Sequence, residues 1–197
     1  MKTLSCKKSV LNFLAPMQIV ALSFAMAIFA APVQAQTLLL NGNGIRHQAA
    51  SPLYSAGLYL DQKAATSAEV LGRMGARQLR VVMLRDVSAA EMGELLASGM
   101  VANASDAELN RLIPALFGLG VLLGEQKKLA AGDSFQIESQ PDGKSAVTTI
   151  SIQTRSAGEP VRYIFAQPEL FGVMLRMWLG SHPADEGLKN ALLGQKS

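Results

Sequence analysis

Cysteine is almost missing from this chain of 197 residues, which has one cysteine, two histidines and one tryptophan. Because the one cysteine, Cys6, lies near the N-terminus, the rest of the chain has neither disulfide nor thiolate chemistry. His47 and His182 are far apart and lack the short spacing of metal ligands. The sequence therefore predicts no metal site, and we expect no cofactor.

Acidic residues are absent from residues 1–35, which start with three lysines and continue with the apolar run "IVALSFAMAIFAA". This pattern, followed by the small residues Val33 and Ala35, is typical of a secretory signal peptide cleaved after Ala35. A retained membrane anchor is the alternative, although the run is shorter than the roughly 20 residues that a membrane span needs. We therefore expect removal of residues 1–35, a periplasmic location, and no membrane span in the mature protein.

The remaining chain is balanced in charge, with 15 basic and 15 acidic residues. No basic patch stands out, which argues against a nucleic-acid partner. No repeat, linker, Ser/His/Asp arrangement or phosphate-binding glycine loop is evident either. Residues 36–197 are therefore expected to form one domain. The sequence does not indicate which protein, if any, is a partner.

Alternating apolar residues predict about six strands after residue 36. Two are "TLLLNG" and "LYSAGLYL", a third covers about residues 78–87, and "PVRYIFA" is the last. Between them, "DSFQIESQPDGKSAVTTISIQT" predicts a hairpin that turns at Pro141, Asp142 and Gly143. Strands that follow one another in this way favour an antiparallel sheet.

Helices are predicted from their capping residues. Pro114 is expected to end or kink one of them. The predicted helix starts are Ser67, the pairs Ser88 with Glu91 and Ser105 with Glu108, Pro168, and the acidic residues Asp185 and Glu186, which suit a helix N-terminus. The fold class is therefore α+β, with helices gathered on one face of the sheet.

Four stretches, in this order along the chain, resemble the bacterial chalcone-isomerase-like family. They are "NGNGIR" with "YSAGLYL", "LRDVSAAEM", "AAGDSFQIESQPDG" and "MWLGSHPADEGLKNALLG". The resemblance implies an open-faced β-sandwich, in which helices cover a large antiparallel sheet and a ligand cleft lies between them. The family includes enzymes that close chalcones into flavanones and non-catalytic relatives that bind fatty acids or assist other enzymes.

The resemblance assigns a role to Arg46, which follows the family's G-x-G-x motif. In the enzymes this arginine stabilises a phenolate, and in the lipid binders it holds a carboxylate. The next site position of the family falls on Tyr54. The enzymes generally have threonine at this position, whereas tyrosine is similar to the fatty-acid-binding branch. A hydroxyl position of the enzymes falls on Met177, and their helical tyrosine has no counterpart between Tyr59 and Tyr163. The missing polar residues favour binding over catalysis.

Arg46 and Tyr54 can meet only if the chain reverses between them, because eight residues of one straight strand span about 27 Å. A turn near Ala50 would pair them across two antiparallel strands. The alternative is that Arg46 forms a structural ion pair with Asp86 or Glu138.

The apolar part of the cleft is expected from two helical stretches, with Leu116, Phe117, Met174 and Met177 as ligand-binding candidates beside Arg46 and Tyr54. The function favoured is non-catalytic binding of a fatty acid or a similar small amphipathic carboxylate. One alternative is an isomerase or intramolecular lyase that uses Arg46 to stabilise an oxyanion. The other is an accessory structural module with a closed cleft.

Overall fold

Eight strands and five helices make up the computed structural model, which describes residues 37–142 and 145–195. Six strands form one antiparallel sheet in the order β1-β2-β3-β6-β7-β8. Their bounds are β1 Leu39–Gln48, β2 Ser51–Leu60, β3 Arg77–Met83, β6 Ser134–Asp142, β7 Ser145–Gln153 and β8 Val161–Phe165. The predicted antiparallel sheet is thereby confirmed.

The short strands β4 (Val87–Ser88) and β5 (Lys128–Leu129) form a separate two-stranded ladder that the sequence did not suggest. The strand predicted for residues 78–87 was too long, because β3 ends at Met83 and the chain then turns into β4. The ladder joins the start of the second helix to the chain that follows the third.

The helices are α1 Ser67–Gly72, α2 Ala89–Asn103, α3 Asp106–Gln126, α4 Leu170–Leu179 and α5 Glu186–Leu192. Eight of the ten residues of α4 are buried, as expected for a helix that is apolar on all sides and enclosed by the protein. Strand residues alternate between this apolar core and a more polar outer face. In β3, for example, Leu79 and Val81 are buried whereas Arg80 is exposed. The fold is thus the α+β open-faced sandwich expected from the sequence.

Two glycines of the "NGNGIR" stretch allow helix α5 to lie directly on strand β1. A Cβ atom on Gly42 would lie 2.1 Å from the carbonyl oxygen of Ala191, and one on Gly44 would lie 2.7 Å from the Ala191 Cβ. The buried amide of Asn41 adds a second tie, since its Nδ2 donates to the carbonyls of Ala64 and Leu192. The strand that carries Arg46 is therefore held by the C-terminal helix.

The capping predictions for α2 and α3 are confirmed, since Ser88 and Ser105 accept hydrogen bonds from the backbone N–H groups of Glu91 and Glu108. The predicted cap Ser67 was wrong by one residue. Thr66 caps α1 and forms a reciprocal capping box with Glu69.

Of the two outcomes predicted for Pro114, an end of the helix is wrong, because α3 continues to Gln126. The ring is exposed, and the buried residues Leu112, Ala115 and Leu119 on either side anchor the helix in the core. This burial offsets the one hydrogen bond that proline cannot donate.

The predicted hairpin is confirmed in β6 and β7, where Asp142 pairs with Ser145. Pro141 and Asp142 are therefore strand residues and not turn residues. Gly143, the third predicted turn residue, lies outside the described residues.

Helix α3 has 21 residues and a mean hydropathy of 1.3, enough to cross a membrane by length and composition alone. Of the most apolar window, 28% is buried, on the side that packs into the core. Its other side exposes Ile113, Phe117 and Val121, one helical turn apart.

Candidate functional site

Arg46 and Tyr54 lie directly opposite each other on β1 and β2. Only Ala49 and Ala50 separate the two strands, and Ala49 adopts a left-handed conformation with φ of 54°. The pairing register shifts next to Arg46, between Arg46 and His47. This tight reversal brings the two side chains together as the sequence predicted.

The Arg46 guanidinium contacts Tyr54 but no carboxylate in the described part of the chain. Its Nη1 lies 3.5 Å from the Tyr54 hydroxyl oxygen, and its Cζ lies 5.7 Å from the ring centroid. Its Nε is buried and has no hydrogen-bond partner. A buried N–H group without a partner is costly, so this nitrogen is a donor in need of an acceptor.

The alternative that Arg46 is a structural ion pair with Asp86 or Glu138 is not supported. Asp86 pairs with Lys128 at 2.7 Å. Glu138 accepts a hydrogen bond from Gln136. Both carboxylates are thus engaged elsewhere.

Tyr54 is held from the other side by Trp178, whose indole Nε1 donates to the Tyr54 hydroxyl at 2.8 Å. Burial raises the pKa of the Tyr54 phenol, and the charge of Arg46 partly opposes this effect. The phenol is therefore protonated at neutral pH. Since Trp178 and Arg46 use the two acceptor positions of the hydroxyl, its hydrogen is free to be donated.

Nothing in the sequence indicates a polar partner for Tyr54. Trp178 and Tyr54 are 124 positions apart, and the folding of α4 onto the sheet brings them together. The only signal in the sequence was that Trp178, the single tryptophan, directly follows Met177, on which a site position of the family falls.

A small cavity of about 10 Å³ lies at this contact, which is room for at most one water molecule. Its polar groups are those of Arg46, Tyr54 and Trp178. The rest of its lining is apolar and comes from both the sheet and the helices: Val81, Met92, Leu95, Leu96, Phe135 and Met177. The site is therefore a small, largely enclosed pocket with a cation at one end.

The structure brings only Met177, of the four apolar candidates, to this pocket. Met174 is fully buried in the core, and Phe117 is 75% exposed because it lies on the outer side of α3. Leu116 lies in a different cavity, between α2 and α3. The apolar pattern of the two helical stretches identified these residues as apolar. It does not show which side of each helix faces the sheet.

The remaining polar candidates have structural contacts. Asp185 caps α5, accepting a hydrogen bond from the backbone N–H of Leu188 at 2.8 Å. The backbone of His182 is bound by the side chain of Asn103, and the His47 side chain is exposed. Over residues 37–142 and 145–195, no cluster of three or more acidic, histidine or cysteine residues could hold a metal ion.

Comparison with known proteins agrees with this fold. No curated protein matches the chain. Among solved structures, a fatty-acid binding protein of Arabidopsis thaliana superimposes with a TM-score of 0.56 at 15% sequence identity, covering 79% of this chain and 86% of the other. The family model described as chalcone isomerase-like matches residues 24–194. The chain therefore belongs to the chalcone isomerase-like family.

Proposed function

We propose that this protein binds a small amphipathic carboxylate, such as a fatty acid, without chemical turnover. The observation that carries the proposal is the state of Arg46. Its guanidinium lines a small pocket, its Nε has no partner among the described residues, and it takes part in none of the ion pairs of the described chain. A bound anion would supply the missing acceptor.

The chemistry of the pocket suits a carboxylate head group on an apolar tail. The planar guanidinium offers two parallel donors and keeps its charge at any physiological pH. The Tyr54 hydroxyl offers a further hydrogen, and the remaining lining is apolar. The similar structure from Arabidopsis thaliana is a fatty-acid binding protein, which supports this ligand class.

Catalysis is not part of the proposal because the pocket lacks a second group that could transfer a proton. Among the described residues, no histidine, carboxylate or lysine lines it, and the phenol of Tyr54, with its raised pKa, is a poor base at neutral pH. At Met177, where the enzymes of the family have a hydroxyl, this chain offers only a thioether.

The size of the pocket favours a second candidate, an accessory module whose cleft is filled by its own side chains. A volume of about 10 Å³ is far below the roughly 300 Å³ or more of small-molecule sites. Binding therefore requires side chains to move, and the two candidates differ in whether a ligand induces this movement.

We also propose that binding takes place in the periplasm, on the strength of the signal-peptide pattern in residues 1–35. Intact-mass measurement after expression with the full N-terminus tests this directly. A mature protein that starts at Gln36 supports export, and a retained N-terminus in the cytoplasmic fraction contradicts it.

The binding proposal is tested by native purification, solvent extraction and mass spectrometry of the released molecules. We expect about one amphipathic carboxylate per chain in the wild type and in Arg80→Ala, a control at an exposed arginine on β3. Arg46→Ala should lose it. An empty wild type that also fails to take up added fatty acid supports the closed module, and turnover of a chalcone-like substrate would establish an enzyme.

A further inference from the structure

A second cavity, of about 200 Å³, lies between α2 and α3. Its lining is apolar or glycine throughout, and it includes Leu96 and Met100 of α2 and Leu116 and Leu119 of α3. We call it the α2–α3 groove. No charged residue of the described ranges lines it, so these residues offer a charged head group no partner there.

One side chain, Leu96, lines both this groove and the pocket at Arg46. Leu96 therefore separates Arg46, whose Nε has no acceptor, from the larger α2–α3 groove. The pocket itself holds no more than one water, so an anion bound to Arg46 must place any longer tail elsewhere.

We propose that the α2–α3 groove is the acyl-chain subsite of the Arg46 pocket. The carboxylate of the ligand binds Arg46, and its chain passes Leu96 and lies between α2 and α3. This inference rests on the proposed binding function and assigns its tail region. The groove has the required apolar lining, and it shares Leu96 with the pocket as a common wall, so a displacement of this one side chain would join the two cavities.

The partition is built from side chains that can move. Met92 and Met177 stand beside Leu96 in the pocket, and unbranched thioether side chains adapt readily to a passing chain. Glycines Gly93 and Gly120 line the groove on opposite helices, and a Cβ added to either meets no atom within 4 Å. A larger residue at either position would therefore fill space that the ligand needs.

Blocking the groove with Gly120→Leu tests the inference, with Gly124→Leu as the matched control. Gly124 lies one turn further along α3, outside the groove, and also has no atom within 4 Å of an added Cβ. Both substitutions replace a helical glycine by a strong helix former, so their effects on helix stability are alike. Gly93→Leu repeats the block from α2.

The measurement is the dissociation constant of short-, medium- and long-chain saturated fatty acids by calorimetry. In the wild type and Gly124→Leu, affinity should rise about fourfold per added methylene until the groove is full. In Gly120→Leu and Gly93→Leu, the rise should stop several methylenes earlier, with short-chain affinity unchanged and still dependent on Arg46.

The possible outcomes distinguish the binding function from the assignment of the α2–α3 groove as the acyl-chain subsite. If fatty acids bind through Arg46 but the four proteins show the same chain-length profile, the groove assignment is overturned and the binding function stands. If no fatty acid binds the wild type, both fail. Self-association of the wild type that is abolished by Gly120→Leu but not by Gly124→Leu, without a change in the profile, would assign the groove to an interface between copies instead.

Discussion

Replacing Arg46 by methionine should stabilise the ligand-free protein while abolishing carboxylate binding. Methionine keeps an unbranched apolar stem of similar length and removes the charged fork. The buried Nε of Arg46, which has no partner, costs about 1–3 kcal/mol.

The contacts that the substitution removes are weak. The hydrogen bond to Tyr54 is long, at 3.5 Å, and contributes about 0.5 kcal/mol. The guanidinium lies 5.7 Å from the Tyr54 ring centroid, near the limit for a cation–π interaction of about 0.5–1 kcal/mol. The balance is a gain of about 1 kcal/mol for methionine, or an increase in Tm of about 2–4 °C for a domain of this size.

Thermal and urea unfolding of delipidated protein measure this difference. Arg80→Met is the control, because Arg80 is exposed on the outer face and its replacement should change the free energy of unfolding by less than about 0.5 kcal/mol. A loss of about 1 kcal/mol or more in Arg46→Met would refute the reasoning, since Arg46 would then hold the fold together and would not be waiting for a ligand.

Three further substitutions test individual contacts. Tyr54→Phe leaves the buried indole N–H of Trp178 without an acceptor and should lower the free energy of unfolding by about 1–3 kcal/mol, measured by urea denaturation. Gly42→Ala drives a Cβ into the backbone of α5 and should cost at least about 3 kcal/mol, measured in the same way. Glu108, whose pKa is lowered to about 2 by the backbone N–H of Ser105 and by Arg176, should stabilise the protein at neutral pH. Because this pKa is depressed, Glu108→Gln should cost about 1 kcal/mol above pH 4.5, after discounting for solvent, and progressively less towards pH 2.

Each of these predictions has an outcome that would contradict it. Gly158→Ala adds a Cβ in open space and should be nearly neutral, so equal losses at Gly42 and Gly158 would contradict the close packing of α5. A Tyr54→Phe protein as stable as the wild type would mean that the indole finds another acceptor. A pH-independent effect of Glu108→Gln would assign its role to packing and not to charge.

Local chemistry made most of the fold predictable from sequence. Capping residues marked the starts of α2 and α3, and alternation of apolar residues marked the strands. The pairing of Arg46 with Tyr54 followed from strand geometry and a short turn, and the register is as expected. Each of these depends on residues close together in the chain.

Contacts between elements that are far apart in the sequence could not be predicted in this way. The close approach of α5 to β1 at Gly42 and Gly44 was not predicted, because only the folded chain brings these two elements together. The Trp178–Tyr54 hydrogen bond depends on the placement of α4 over the sheet. Phe117 was placed in the cleft because an apolar helix stripe does not reveal which side is buried, and on α3 both sides are apolar.

The position of Trp178 has a consequence for experiment. It is the single tryptophan of the chain, and its indole is hydrogen-bonded at the proposed head-group pocket. Any event that displaces Tyr54 or admits an anion to Arg46 changes the surroundings of this one chromophore. Intrinsic fluorescence therefore reports on a single known location without a label. Stopped-flow emission after mixing with ligand can then time the arrival of the head group.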